Sequence, residues 1–158
     1  DAPKIYYPSM PVDIARKGAG RRLNAHRLRE IAEAVLSLVG QGEAELSVAL
    51  IGNAEMQKLN GEYRHKNYPT DVLSFPVREM PRLANRLLGD VIISVEKARE
   101  QARQRGRSAH EEIVTLLIHG VVHLLGYDHE RSAKDARVMK RLERKIYREL
   151  CERGLLKV

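Results

Sequence analysis

The sequence has no tryptophan, one phenylalanine, one cysteine and no long uninterrupted apolar run. Each shortage excludes something. A lone thiol, Cys151, cannot close an internal disulfide, and it is expected to pack near the chain end. Without a stretch of about 20 apolar residues, no helix is expected to span a membrane. The opening Asp1-Ala2-Pro3-Lys4 lacks the charged-then-apolar layout of a secretory signal, so a soluble, cytoplasmic protein is expected. With so few large aromatic rings, a platform that binds nucleic acid by base stacking alone is not expected.

What is abundant is positive charge. Lys and Arg number 28 against 21 Asp and Glu, a formal net charge of +7, and the sequence pI is about 9.7. This balance favours a polyanionic partner. The basic clusters are Arg16-Lys17 with Arg21-Arg22, Arg82 with Arg86, and Arg99, Arg103, Arg105 and Arg107; any of them also fits an ordinary solvated face. At 158 residues the chain is sized for one domain with a substantial core.

Hydrophobic periodicity gives an order of elements. Lys4–Tyr7 reads as a short strand, and Pro8 to Arg22 as a loop. A helix runs from Asn24 or His26 to Val39, with Leu28, Ile31, Ala32, Val35 and Leu38 at helical spacing and Gly40 closing it. Glu45–Ile51 has strand composition, and Asn53 is placed to cap a short helix through Met56 and Leu59. Strands follow near Thr70–Phe75 and over Leu87–Ser94, separated by a loop from Val77 to Arg86. Gly89 inside the second of these marks a bulge or a close backbone approach. Ser94 caps a charged helix that ends at Gly106, and Ser108 with Glu111 forms a capping box for the next helix. Ser132 with Asp135 opens a last amphipathic helix through Met139, Leu142, Ile146 and Leu150. The expected fold is α+β: a small mixed sheet covered by helices, with a buried central helix, apolar nearly all round, carrying the metal ligands.

The densest chemical pattern runs from Thr115 to His129 along that central helix. His119 and His123 are four apart, about 40° in azimuth and about 6 Å in rise on a helix, so both can face one ion. Were the helix to continue, His129 would lie at about 600° of rotation from His123, on another face. Gly126 can take the left-handed conformation that ends a helix, which returns His129 to the same ion. Three imidazoles with an open fourth position describe a catalytic zinc site better than a structural one, and one zinc per chain is expected, although imidazole also suits nickel, copper and iron. The spacing matches the H-E-x-x-H-x-x-G-x-x-H signature of zinc peptidases, except that Gly120 stands where the general-base Glu belongs. The pattern therefore keeps the metal and drops the proteolytic machinery. Met139 is placed either beneath the metal or in the core, and core packing is the expectation.

A second candidate is the basic segment from Asn60 to Pro76. Arg64 and Lys66 stand among turn-forming residues, where phosphate ligands are commonly presented; a solvated loop with two cations is the competing account.

Three stretches together resemble one family. They are Leu59-Asn60-x-x-Tyr63-Arg64-x-Lys66-x-x-Pro69-Thr70-Asp71 running on to Pro76, then Leu88-Gly89-Asp90 to Ser94, and then His119-Gly120-x-x-His123-Leu124-x-Gly126-Tyr127-Asp128-His129. In kind and order they resemble the YbeY-type metal-dependent endoribonucleases. The resemblance covers roughly residues 45 to 150 and implies zinc on His119, His123 and His129, with Arg64 acting in the substrate groove. It also implies a single-strand-preferring ribonuclease that helps form the 3′ end of small-subunit (16S) rRNA and takes part in ribosome quality control. Asn67 stands where Asp often follows the lysine, and Asp135 where Glu is more usual; neither touches the histidines or Arg64.

The leading expectation is phosphodiester cleavage at a zinc site, with the phosphate held by Arg64 and Lys66. Asp71 and Asp128 are general-base candidates by position only. A metallopeptidase is opposed by Gly120 and the basic charge. A non-catalytic ribosome- or RNA-binding module with structural zinc would share the charge and the motifs.

Overall fold

The computed structural model describes residues 12–77 and 87–157. The expected strand Lys4–Tyr7, the loop residues 78–86, and with them Arg82 and Arg86, lie outside the described residues. The described chain runs β1 (Val12–Arg16), a 3₁₀ turn (Gly18–Arg22), α1 (Ala25–Leu38), β2 (Glu45–Ile51), α2 (Asn53–Arg64), β3 (Val72–Pro76), β4 (Leu87–Ser94), α3 (Val95–Arg105), α4 (Ala109–Leu124) and α5 (Ala133–Glu152).

The four strands form one mixed sheet in the order β1-β2-β4-β3. The pairs β1–β2 and β2–β4 are parallel, and β3 runs antiparallel to β4 along one edge. The fold is thus α+β with a small mixed sheet, as the periodicity indicates. The alternation of side chains sorts the strands between two faces. Leu46, Val48 and Leu50 of β2 and Val91 and Ile93 of β4 enter the main core with α1, α3, α4 and α5. Ile51 and Leu73, with Phe75 and Ile92 packed alongside, face the other way and meet Met56 and Leu59 of α2.

Three expectations need correction. The segment Pro8 to Arg22 is not all loop: Val12–Arg16 is an edge strand, and Val12 is fully buried. At five residues, with Asp13 and Arg16 among them, the segment is too short and too polar to signal a strand. Asn53 does not cap α2; Gly52 occupies that position without a side-chain bond. The Asn53 N–H instead donates to Glu96 Oε1 at 2.9 Å, and its side-chain oxygen accepts from Ser94 Oγ at 2.7 Å. Cys151 is exposed on α5 rather than packed.

Gly89 serves both suggested purposes. The β2–β4 register shifts there, so Leu88 is the extra residue of a bulge. Its φ of +152° and the proximity of the Phe75 carbonyl leave no room for a Cβ.

The central helix α4 contains several β-branched residues, which are indifferent helix formers. Burial decides instead. Eight of its apolar side chains, from Ile113 to Leu124, are at most 5% exposed, and at about 1.5–3 kcal/mol each their burial outweighs the propensity deficit. The helix starts where Ser108 Oγ accepts from Glu111 N at 3.1 Å. Its fixed position against β3, β4, α1, α3 and α5 makes it a rigid carrier for the histidines. Met139 of α5 is 1% exposed and belongs to the core.

Candidate metal centre and cleft

Leu125 closes α4, and Gly126 follows with φ +101°, its N–H donating to His123 O at 2.9 Å. The left-handed turn inferred from the spacing is therefore present. Two further bonds shape it: Asp128 Oδ1 accepts from Glu130 N at 2.8 Å, and the Arg131 guanidinium donates to Gly126 O at 3.0 Å. The chain doubles back and places His129 beside the two helical histidines.

The imidazole ring centroids of His119, His123 and His129 lie 4.7, 5.4 and 5.2 Å apart pairwise. One ligand nitrogen from each lies within 4.8 Å of the others. A tetrahedral ion with bonds of about 2.0–2.1 Å needs nitrogens about 3.4 Å apart, a distance small χ rotations can reach. The donors are all-nitrogen and of graded exposure, with His119 and His123 half-buried and His129 exposed. Burial, and then the neighbouring imidazoles His119 and His129, hold the His123 pKa below its ordinary value of 6.5, so the neutral form that binds metal is favoured.

One carboxylate at this centre escaped the sequence reading. Glu143 Oε1 of α5 lies 3.0 Å from His119 Nδ1. Accepting a hydrogen bond from Nδ1–H there fixes the ring tautomer and leaves Nε2 free to be a ligand atom, an arrangement typical of metal-binding histidines. Its sequence signal was faint: Glu143 adjoins the apolar stripe of α5 at Leu142 and Ile146, where a charge is out of pattern.

Gly120 faces the sheet. A Cβ on it would lie 2.5 Å from Val91 Cγ1 and 3.3 Å from Ser74 Oγ, which itself donates to Gly120 O at 3.2 Å. The peptidase Glu has no space at this position.

The histidines line a cleft of about 640 Å³ together with Arg64, Lys66 and Arg131. Arg64 is not in a loop: it ends α2, and the chain turns at His65 with φ +58°. Its guanidinium donates to Ser74 O at 3.3 Å and lies 5.9 Å from the centroid of the Phe75 ring. The Lys66 ammonium makes no hydrogen bond or ion pair among the described residues. The turn between them is held by Asn60, 2% exposed, whose amide donates to Tyr68 O at 2.8 Å. Of the two aspartates, Asp71 accepts from Val72 N at 2.8 Å and from Gln101 Nε2 at 3.2 Å. Asp128 is engaged in its own turn. Both line the cleft, and both have structural duties there.

The arrangement has known counterparts. A family model described as Endoribonuclease YbeY matches residues 14–151. A protein of that name from Sulfurihydrogenibium is 46% identical over 126 residues, covering 79% of this chain and 83% of its own length. One from Geobacter metallireducens is 41% identical over 150 residues, covering 93% and 100%. The solution structure of a Thermotoga maritima protein superposes with a TM-score of 0.64 at 27% identity, covering 90% of this chain and 91% of that one. Identity of this level across nearly the whole described fold carries one conclusion: the chain belongs to the YbeY endoribonuclease family.

Proposed function

We propose that this protein is a zinc-dependent endoribonuclease that prefers single-stranded RNA and acts in the cytoplasm on ribosomal RNA of the small subunit, at the 3′ end of 16S rRNA. The carrying observation is the convergence of three imidazoles in a cleft whose rim holds Arg64 and Lys66. Relatives named as endoribonucleases, and the positive charge of the chain, support the substrate class.

His119, His123 and His129 would hold the zinc ion, which would supply Lewis-acid chemistry at the cleft. The protein's own groups do the rest. Glu143 holds the His119 ring in one tautomer. Arg64, braced by the Ser74 carbonyl, and Lys66, whose ammonium has no partner among the described residues, bind phosphate oxygens and offset charge that builds on them. The peptidase alternative, which rests on the histidine spacing, is opposed at Gly120, where a Cβ would lie 2.5 Å from Val91 Cγ1.

The test is elemental analysis of the purified protein together with cleavage of single-stranded and duplex RNA. One zinc per chain and cleavage of the single strand are expected, both lost in His123→Ala. Unchanged zinc in that variant would remove the site assignment. Zinc without cleavage of any RNA would leave a binding module.

A further inference from the structure

On the far side of His119 lies a second groove, of about 990 Å³, between α4 and α5. It shares His119 and Asp71 with the histidine cleft, so the two adjoin at that ring. From His119 it runs back along α4 past Thr115 to Arg105 and Arg107, where α3 gives way to α4. Its other wall is α5.

That wall is charged in a regular way. Lys140, Arg144 and Arg148 are exposed and spaced four apart, a single row with steps of about 6 Å along the helix. None of the three has a hydrogen bond or ion pair among the described residues. Like charges at this spacing repel and weaken the helix that carries them, so the row has no benefit to the fold alone. Glu143 is the acidic side chain α5 adds to the groove, and it is engaged by His119.

Arg105 and Arg107 extend the positive charge and are held in place. Both bind the carboxylate of Glu112, which is fully buried: Arg105 at 2.7 Å to one oxygen, Arg107 at 2.6 Å to the other. One carboxylate against two guanidiniums leaves a net positive charge at this end. Arg105 remains 54% exposed and can still reach a phosphate.

We propose that this groove carries the continuation of the RNA strand beyond the cleft, its phosphates tracking the Lys140, Arg144 and Arg148 row toward Arg105. The proposal rests on the function proposed above and adds the course of the substrate. A row of cations along one helix face, beside the cleft of the three histidines, matches a single extended polyanion. An acidic protein segment is the competing occupant.

The test uses the full chain with Lys140→Gln, Arg144→Gln and Arg148→Gln combined, since glutamine keeps much of the side-chain length and the helix propensity. Binding and cleavage are measured on an unstructured RNA of about 20 nucleotides and on one of about 4, long enough only for the cleft. The long RNA is expected to bind about tenfold or more weakly, with the slope of log K against log salt reduced by about 2 for three lost phosphate contacts. Cleavage of the short RNA, zinc content and melting temperature are expected to be unchanged. Cys151, exposed and lining the same groove, accepts a photoreactive label; in the wild-type protein it is expected to crosslink to the long RNA and not to the short one.

Equal affinity and equal salt slope for wild type and variant on the long RNA would overturn the proposal and leave the groove to an acidic protein segment. Equal loss on both lengths with zinc retained would also overturn it, because the three cations would then act in the cleft. A wild-type protein that neither binds nor cleaves either RNA would overturn the proposed function, and this proposal with it.

Discussion

Replacing Gly120 by alanine tests the packing that holds the histidine helix on the sheet. In a helix interior this change ordinarily stabilises by about 0.8–1 kcal/mol, because alanine loses less backbone freedom. Here the new methyl would stand 2.5 Å from Val91 Cγ1, 3.0 Å from Val91 Cγ2 and 3.3 Å from Ser74 Oγ. Val91 cannot withdraw: it is fully buried, β-branched, and paired on both sides, to Val48 of β2 and Ser74 of β3. Overpacking at such a site costs about 1–3 kcal/mol and here includes two close contacts with one side chain. The net expectation is a loss of about 1–2 kcal/mol, or a melting temperature lower by about 2–8 °C for a chain of this size. Urea denaturation and thermal melting at matched zinc content measure it. Combining Gly120→Ala with Val91→Ala should cost less than the sum of the two, since the cavity accepts the methyl. A Gly120→Ala protein as stable as wild type would refute the reasoning, because α4 could then lift from the sheet without penalty.

The other predictions concern the centre and its surroundings. Glu143→Ala should keep the fold but weaken zinc affinity by about 10–100-fold, read by competition with a chelating dye, because His119 loses the partner that orients it. Equal affinity would mean that the contact is incidental. Arg64→Ala should reduce RNA cleavage by about 10²–10³-fold while changing stability by no more than about 0.5 kcal/mol, as its guanidinium is exposed; unfolding would reassign it to structure. In metal-free protein, the lowered pKa of His123 means that the unfolded chain takes up the proton first as pH falls. Stability present above about pH 6.5 should therefore decline below it, and a metal-free His123→Asn protein should show a shallower decline. Replacing Arg105 and Arg107 together by alanine strands the buried Glu112 carboxylate and should cost about 3–5 kcal/mol; a melting temperature within error of wild type would show that water reaches Glu112.

Elements with a strong internal period were legible. The helix α1 shows its apolar stripe and its closing glycine in sequence, while its N-cap is supplied by the structure, where Asn24 Oδ1 accepts from Arg27 N at 3.1 Å. The caps Ser94, Ser108 and Ser132 were equally visible, each accepting the expected backbone N–H, because a cap is a contact between residues three apart. Misread elements depended on distant partners. The strand β1 exists through its pairing with β2 and the burial of Val12, while Gly52 takes the cap position from Asn53 because Glu96 and Ser94, some forty residues away, engage Asn53 instead.

The candidate metal centre divides along the same line. Two histidines four apart on a helix, a glycine able to reverse the chain and a third histidine just beyond it are local geometry, so the sequence by itself determined the grouping of the three imidazoles and the turn that joins them. Tertiary structure alone decided what surrounds them. Glu143 reaches His119 because α5 packs on α4, across 24 residues. Arg64 reaches the cleft because the end of α2 lies over β3, and Lys140, Arg144 and Arg148 line a groove because α5 lays their face beside the same histidine. Short-range spacing is written into the chain by backbone geometry, whereas the meeting of remote side chains follows from how helices bury their apolar faces, which no local pattern specifies.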